Sequence, residues 1–157
     1  MGRVRIVAVG SRMPKWVREP FDDYINRLGS GLRISLLEIP PGPRTAGQSP
    51  AKAIEVEGER IVTAVRRDEY VVALDERGVE MTTRELASWL AARLQDGRDL
   101  AFLIGGPDGF AADVLQRSDF KWSLSRLTFP HALVRVLLAE QLYRAHGVLS
   151  NHPYHRD

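Results

Sequence analysis

Short apolar runs that read as strands alternate along this chain with longer segments of helical period, and that alternation constrains the fold more than any other feature. Val4–Val9, Ile34–Ile39, Tyr70–Leu74 and Leu100–Ile104 are compact apolar runs bounded by breakers, and Trp122–Phe129 alternates well enough for a fifth strand. Pro14 opens a helix that runs to about Leu28, with Pro20 expected to kink or restart it and Gly29-Ser30-Gly31 to close it. Ser49-Pro50 starts a second helix that carries Ile54, Ile61 and Val65 and ends near Arg67. A charged turn with Gly78 follows the third strand. Thr82-Thr83-Arg84-Glu85 then forms a capping box ahead of Leu86, Trp89, Leu90 and Leu94. A short helix covers about Ala112–Arg117, and Pro130 opens the last one, about His131–His146. Strands alternating with helices predict one α/β domain, with a mainly parallel sheet and helices on both faces.

Composition narrows the function classes. At 157 residues and 44% apolar, the chain suits one domain with a real core. It has no cysteine, which excludes thiolate metal sites and cysteine nucleophiles. The opening Met1-Gly2-Arg3-Val4-Arg5-Ile6 is already a strand pattern, without a signal-peptide apolar region, so the cytoplasm is the expected compartment. Residues 121–157 hold 5 basic and 2 acidic side chains together with all 4 histidines. Of the 22 basic residues 19 are arginine, a composition suited to phosphate, although GC-rich codon usage explains it more simply. The asymmetry therefore points only weakly to nucleic acid.

Ligands of open α/β sheets bind beyond the carboxyl ends of the strands. Three such ends stand out: Leu74-Asp75, the turn Gly105-Gly106-Pro107-Asp108-Gly109, and Ser123 through Pro130. The glycine turn would let a ligand reach bare backbone, but it is neither a dinucleotide fingerprint nor a phosphate loop. A plain tight turn explains it equally well. Ser123, Ser125 and Thr128 offer hydroxyls nearby. The last helix is apolar on more than one face, which predicts a buried or oligomeric position. Its Glu140 and Arg144 are spaced for an ordinary ion pair, whereas Arg135 has no local partner and is the better functional candidate. The tail Asn151-His152-Pro153-Tyr154-His155-Arg156 brings together two imidazoles, a phenol and a guanidinium, groups that stack on bases or hold phosphate. Two histidines alone make a thin zinc site, so no metal is expected.

Taken in order, these segments resemble a known family. Leu103-Ile104-Gly105-Gly106-Pro107-Asp108-Gly109, Trp122-Ser123-Leu124-Ser125, Leu127-Thr128-Phe129-Pro130-His131, Val134-Arg135-Val136-Leu137 with Glu140-Gln141-Leu142-Tyr143-Arg144-Ala145, and the ending Asn151–Arg156 resemble the ribosomal RNA large subunit methyltransferase H family, of the SPOUT class. The resemblance covers essentially the whole chain. It implies a single SPOUT domain over residues 1–157, with a C-terminal trefoil knot spanning roughly residues 70–157, and a homodimer packed through knot helices. It implies S-adenosylmethionine as cofactor, held by Leu74, Gly105, Gly106 and the run Ser125, Arg126, Leu127, Thr128, Phe129 and Pro130, with Arg126 contributing only its backbone. The substrate implied is a pseudouridine of 23S rRNA, methylated at N3 on the assembled 70S ribosome. Beside that pocket, the tail's chemistry suggests His152 or His155 for proton handling, Tyr154 for stacking or hydrogen bonding, and Arg156 with Arg135 for phosphate or carbonyl groups. Three other readings stay open: a non-catalytic RNA- or ribosome-binding factor, an enzyme of the same class acting on tRNA, and a nucleotide-binding α/β protein. The missing phosphate fingerprints disfavour the last.

Overall fold

The computed structural model describes residues 3–29 and 31–156. Met1, Gly2, Ser30 and Asp157 lie outside the described residues, so the Ser30 part of the expected helix stop and the last residue of the tail do too. The elements run β1 (Val4–Val9), α1 (Lys15–Leu28), β2 (Ile34–Ile39), α2 (Ala51–Ala64), β3 (Tyr70–Glu80), α3 (Thr83–Gln95), β4 (Leu100–Ile104), α4 (Ala112–Arg117), β5 (Phe120–Ser123) and α5 (His131–Leu149). These five strands pair in parallel, in the order β2-β1-β4-β3-β5.

The period-2 pattern of the strands explains the two-sided core. Val4, Ile6 and Ala8 of β1 with Leu100, Phe102 and Ile104 of β4 face α1, α3 and α5. Val7 and Val9 with Ala101 and Leu103 face Ile61 of α2 and Val114 of α4. Strands covered on both faces must be apolar throughout, and all five residues of β4 are buried. The Thr82–Glu85 capping box forms as the sequence indicates: the Thr82 side chain accepts from the Glu85 amide, and the Glu85 carboxylate accepts from the Thr82 amide.

Several boundaries differ from the sequence reading. Pro20 lies inside one continuous α1 rather than dividing it. It sits within the second turn, so the carbonyl its missing N–H leaves free belongs to Trp16, at the exposed start of the helix. The charged turn expected after Leu74 is a bulge inside a longer β3. Leu74 pairs with Trp122, the register shifts, and Val79 meets Trp122 again while Glu80 meets Ser123. Gly78 allows that approach, because a Cβ there would sit 2.5 Å from the Lys121 carbonyl oxygen. β5 ends at Ser123, so residues 124–130 form a loop instead of a strand, and α5 continues three residues past His146.

Candidate active site

A cleft of about 420 Å³ opens beyond the carboxyl ends of β3, β4 and β5. Its walls are Leu74–Arg77 from the β3 bulge, Ile104–Phe110 after β4, and Leu124, Ser125 and Leu127–Phe129 after β5, with His131 and Val134 of α5 closing one side. The three strand ends singled out from the sequence thus converge on one cavity, of a size that suits a small organic ligand.

Local hydrogen bonds shape two of these walls. The glycine turn closes with the Gly109 amide donating to the Gly106 carbonyl at 3.2 Å, and Gly109 has φ +82°, a conformation that disfavours a side chain. The post-β5 loop is held by its own hydroxyls. Buried Ser123 Oγ donates to the Ser125 carbonyl at 2.9 Å, and Ser125 Oγ accepts from the Leu127 amide at 3.0 Å. Thr128 Oγ1 lies 3.1 Å from Glu76 Oε2, joining this loop to the β3 bulge across the cleft. These hydroxyls hold the loop in place. Leu127 projects 68% exposed at the mouth of the cleft, an apolar surface for which the fold itself provides no cover.

Of the expected cofactor residues, Leu74, Gly105, Gly106, Ser125, Leu127, Thr128 and Phe129 line the cleft. Arg126 points outward, 3.7 Å from Glu80 with its side chain 88% exposed, and Pro130 caps the start of α5. Sequence reasoning missed the charged rim, where Asp75, Glu76 and Asp108 outnumber Arg77, and it missed His131. The signal for His131 was its place directly after Pro130, at the first residue of α5. Of the four histidines, it is the one that lines the cleft.

Arg135 and the tail lie elsewhere. Arg135 is 3% exposed. Its guanidinium donates to Glu38 Oε2 at 2.8 Å, to the Gly10 carbonyl at 3.0 Å and to the Val9 carbonyl at 3.4 Å, so it ties α5 to the ends of β1 and β2. The partner missing locally is Glu38, far away in sequence. The tail turns back along α5 because Asn151 adopts φ +57° and the His152 amide bonds to the Gly147 carbonyl at 2.8 Å, a helix stop that asparagine tolerates. Tyr154 then packs on Tyr143, with ring centroids 4.6 Å apart, and beneath the Arg144 guanidinium at 4.7 Å. Its hydroxyl donates to Glu140 Oε2 at 2.9 Å and lies 3.4 Å from Tyr24 Oη. Burial, with the Tyr24 and Glu140 hydrogen bonds, holds this phenol well above its ordinary pKa, so it acts as a donor and not as a base. The expected Glu140–Arg144 pair forms, and it raises the Arg144 pKa. His155 Nδ1 lies 3.4 Å from Arg144 Nη1, His152 Nδ1 accepts from the Tyr154 amide at 3.2 Å, and Arg156 is exposed. Val134, on the cleft, and Tyr143, under the tail, are about two and a half helical turns apart, which places them on opposite sides of α5. The tail therefore does not reach its own cleft.

A family model described as "Predicted SPOUT methyltransferase" matches residues 2–155. The chain belongs to the SPOUT methyltransferase family. Within it, proteins named ribosomal RNA large subunit methyltransferase H from Alkalilimnicola ehrlichii and Methylococcus capsulatus are 54% and 49% identical over 154 residues. Each match covers 98% of this chain and 99% of the relative. Among solved structures, a probable methyltransferase from Bordetella pertussis superposes with a TM-score of 0.59 at 17% identity, over 92% of this chain and 95% of that one. A probable methylase family protein from Haemophilus influenzae does so at 0.56 and 18%, over 99% and 71%. At these identities the likeness establishes the fold. SPOUT membership makes the cleft the candidate active site of an enzyme. Among the described residues, no group of three or more metal-binding side chains forms, and no helix is long and apolar enough to cross a membrane.

Proposed function

We propose that this SPOUT enzyme transfers a methyl group from S-adenosylmethionine to N3 of a pseudouridine in 23S rRNA, acting on the assembled 70S ribosome in the cytoplasm. The observation that carries the reading is the cleft, seen beside the near-full-length kinship to proteins named as rRNA methyltransferases. Leu74, Ile104, Leu127 and Phe129 offer apolar surface for an adenine, and the glycine turn offers backbone without Cβ obstruction. The Asp75 and Glu76 carboxylates on the rim suit a cationic sulfonium. The donor set thus fits the cofactor.

When bound, the cofactor supplies a methyl group already activated by its sulfonium. The chain's task is then alignment of the nucleophile and removal of the N3 proton. Two placements are available for that proton. His131 lies at the cleft within the same subunit. His152, His155 and Arg156 reach a cleft only if a second subunit supplies them, which favours a homodimer with a composite site. Two surface features support such a dimer: Leu133, Val136 and Leu137 form a half-buried apolar stripe on α5, and Trp16 of α1 is 60% exposed. Tyr154 is a stacking or donating group in this scheme. Arg135 acts from beneath, holding α5 against β1 and β2. We further propose that residues 1–157 form one SPOUT domain whose last part, from about residue 70, is knotted. The support is that the loop after β5 lines the same cleft as the ends of β3 and β4, and that Thr128 Oγ1 lies 3.1 Å from Glu76 in the β3 bulge.

The test is methyl transfer from labelled S-adenosylmethionine to unmodified 70S ribosomes, free large subunits, naked rRNA and tRNA, with the product base identified by mass spectrometry. Label on a large-subunit pseudouridine, strongest in whole ribosomes, is the expected result. Label on tRNA would redirect the substrate. Cofactor binding without label on any acceptor would point to a different substrate, and no binding would leave a ribosome-binding factor.

A further inference from the structure

The loop between β2 and α2 reaches the glycine turn through one arginine. Arg44 Nη1 donates to Glu57 Oε2 at 2.6 Å, and Arg44 Nε donates to Asp108 Oδ2 at 3.0 Å. Glu57 is a residue of α2, only 2% exposed, and sits directly behind the turn: a Cβ on Gly106 would lie 3.2 Å from Glu57 Oε1. Asp108 is on the cleft wall. One guanidinium therefore joins a buried carboxylate in the core layer to a carboxylate on the turn.

The loop that carries Arg44 is itself fixed. Pro40, Pro41 and Pro43 restrict its backbone. Gly42 lies so close to α2 that a Cβ would approach the Ala53 carbonyl oxygen to 2.4 Å. The Gly42 amide donates to Glu57 Oε2 at 2.9 Å, and Arg60 Nη1 holds the Pro40 and Pro41 carbonyls at 2.7 and 3.0 Å. The Glu57 hydrogen bond, opposed by burial and reinforced by Asp108, raises the Arg44 pKa, so the guanidinium keeps its charge.

We propose that Arg44 is a positioning residue for the cofactor-binding turn. Three glycines in five residues leave the segment 105–109 with large conformational freedom. Ordering it on binding would cost affinity, and ordering it beforehand removes that cost. The Glu57–Arg44–Asp108 clamp orders it beforehand. This inference rests on the reading of the cleft as the S-adenosylmethionine site.

Asp108→Asn is the informative variant, because it removes the charge that anchors the turn to Arg44 while leaving the Arg44–Glu57 pair intact. Calorimetric titration with S-adenosylmethionine should show affinity lowered about tenfold, the scale on which loss of an outer-layer partner acts at other sites. Amide hydrogen exchange of the cofactor-free protein should quicken at residues 105–110 and stay unchanged at residues 5–9. In an Arg44→Met background, Asp108→Asn should add nothing further to either readout. Unchanged exchange in the turn would overturn the proposal whatever the ligand of the cleft. So would an Asp108→Asn effect on binding that persists in full without Arg44, since Asp108 would then act on the ligand directly. Quickened exchange in a protein that binds no S-adenosylmethionine would overturn the cofactor reading, and the positioning role with it, while leaving the clamp as a structural device.

Discussion

Two buried carboxylates, each gripped by an arginine, stand at opposite edges of the same sheet and do different work. Glu69, 0% exposed, lies just before β3 at the amino-terminal edge. It takes Arg5 through Nε at 2.9 Å and Nη2 at 2.6 Å, and the Arg66 amide at 2.7 Å. Its own carbonyl accepts from Arg98 and Arg117. Every partner belongs to the scaffold, so this cluster locks β1, β3 and the approach to β5 together. Glu57, at the carboxyl edge, has one arginine whose remaining donor is committed to a cleft residue. The chemistry is shared, but the second pair ends in a loop on the cleft wall. A buried ion pair is thus a fastening whose meaning depends on what the far end holds.

The largest expected effect tests the structural half of that contrast. Arg5→Ala strands Glu69 as an unpaired buried charge and should cost about 3–5 kcal/mol in denaturant unfolding, with cofactor affinity of the folded fraction unchanged. A large loss of affinity at constant stability would erase the distinction. Asp108→Asn is the mirror image: it should remove less than about 1 kcal/mol of stability, as for a partly exposed pair, while weakening the cofactor.

Acid sharpens the comparison. Burial raises the Glu69 pKa, but Arg5 and the Arg66 amide more than offset this and leave it below its ordinary value. The stability it contributes is therefore present above the unfolded-state pKa and is lost as pH falls through the lower, folded-state value. In Arg5→Ala that acid-sensitive part should shrink, which urea midpoints measured across acidic pH will show. His146 behaves differently. Burial lowers its pKa, and Gly31 packs so near that a Cβ would be 2.8 Å from the imidazole Cε1. Below its unfolded-state pKa of about 6.5 the unfolded chain binds the extra proton first, so stability falls with pH until the folded-state pKa is passed. His146→Gln should flatten that slope in melts between mildly acidic and neutral pH. A cap remote from both pairs should affect neither: Thr82→Ala should cost about 1 kcal/mol of stability and leave cofactor titrations unaltered.

Sequence patterning located β1, β2 and β4 to the residue, because their runs end at real breakers; β4 and nearly all of β1 are buried on both faces, while edge strand β2 leaves Ser35 and Leu37 exposed. It also located the three loops of the cleft, since carboxyl ends of parallel strands are where such clefts form. It missed what depends on distant partners. The second half of β3 was hidden because Asp75–Gly78 break the apolar pattern before Val79 and Glu80 resume pairing with β5. Leu124–Phe129 alternates like a strand, but its serine hydroxyls fold it into a loop. Arg135 looked unpaired because Glu38 is 97 residues away, and the Arg44 clamp was invisible because Asp108 is 64 residues away. The tail's chemistry was legible, but not the turn at Asn151 that lays it on the far side of α5.

The central claim is that the cleft holds S-adenosylmethionine, and the most direct measurement is calorimetric titration of the cofactor into the native chain and into Leu127→Arg. Leu127 is exposed at the mouth, so the change should leave the fold intact while setting bulk and positive charge against a cationic ligand. Binding to the native chain is expected, with affinity at least about tenfold weaker in the variant, the equivalent of about 1.4 kcal/mol, at an unchanged melting temperature. No binding to the native chain, or equal binding to both proteins, would contradict it.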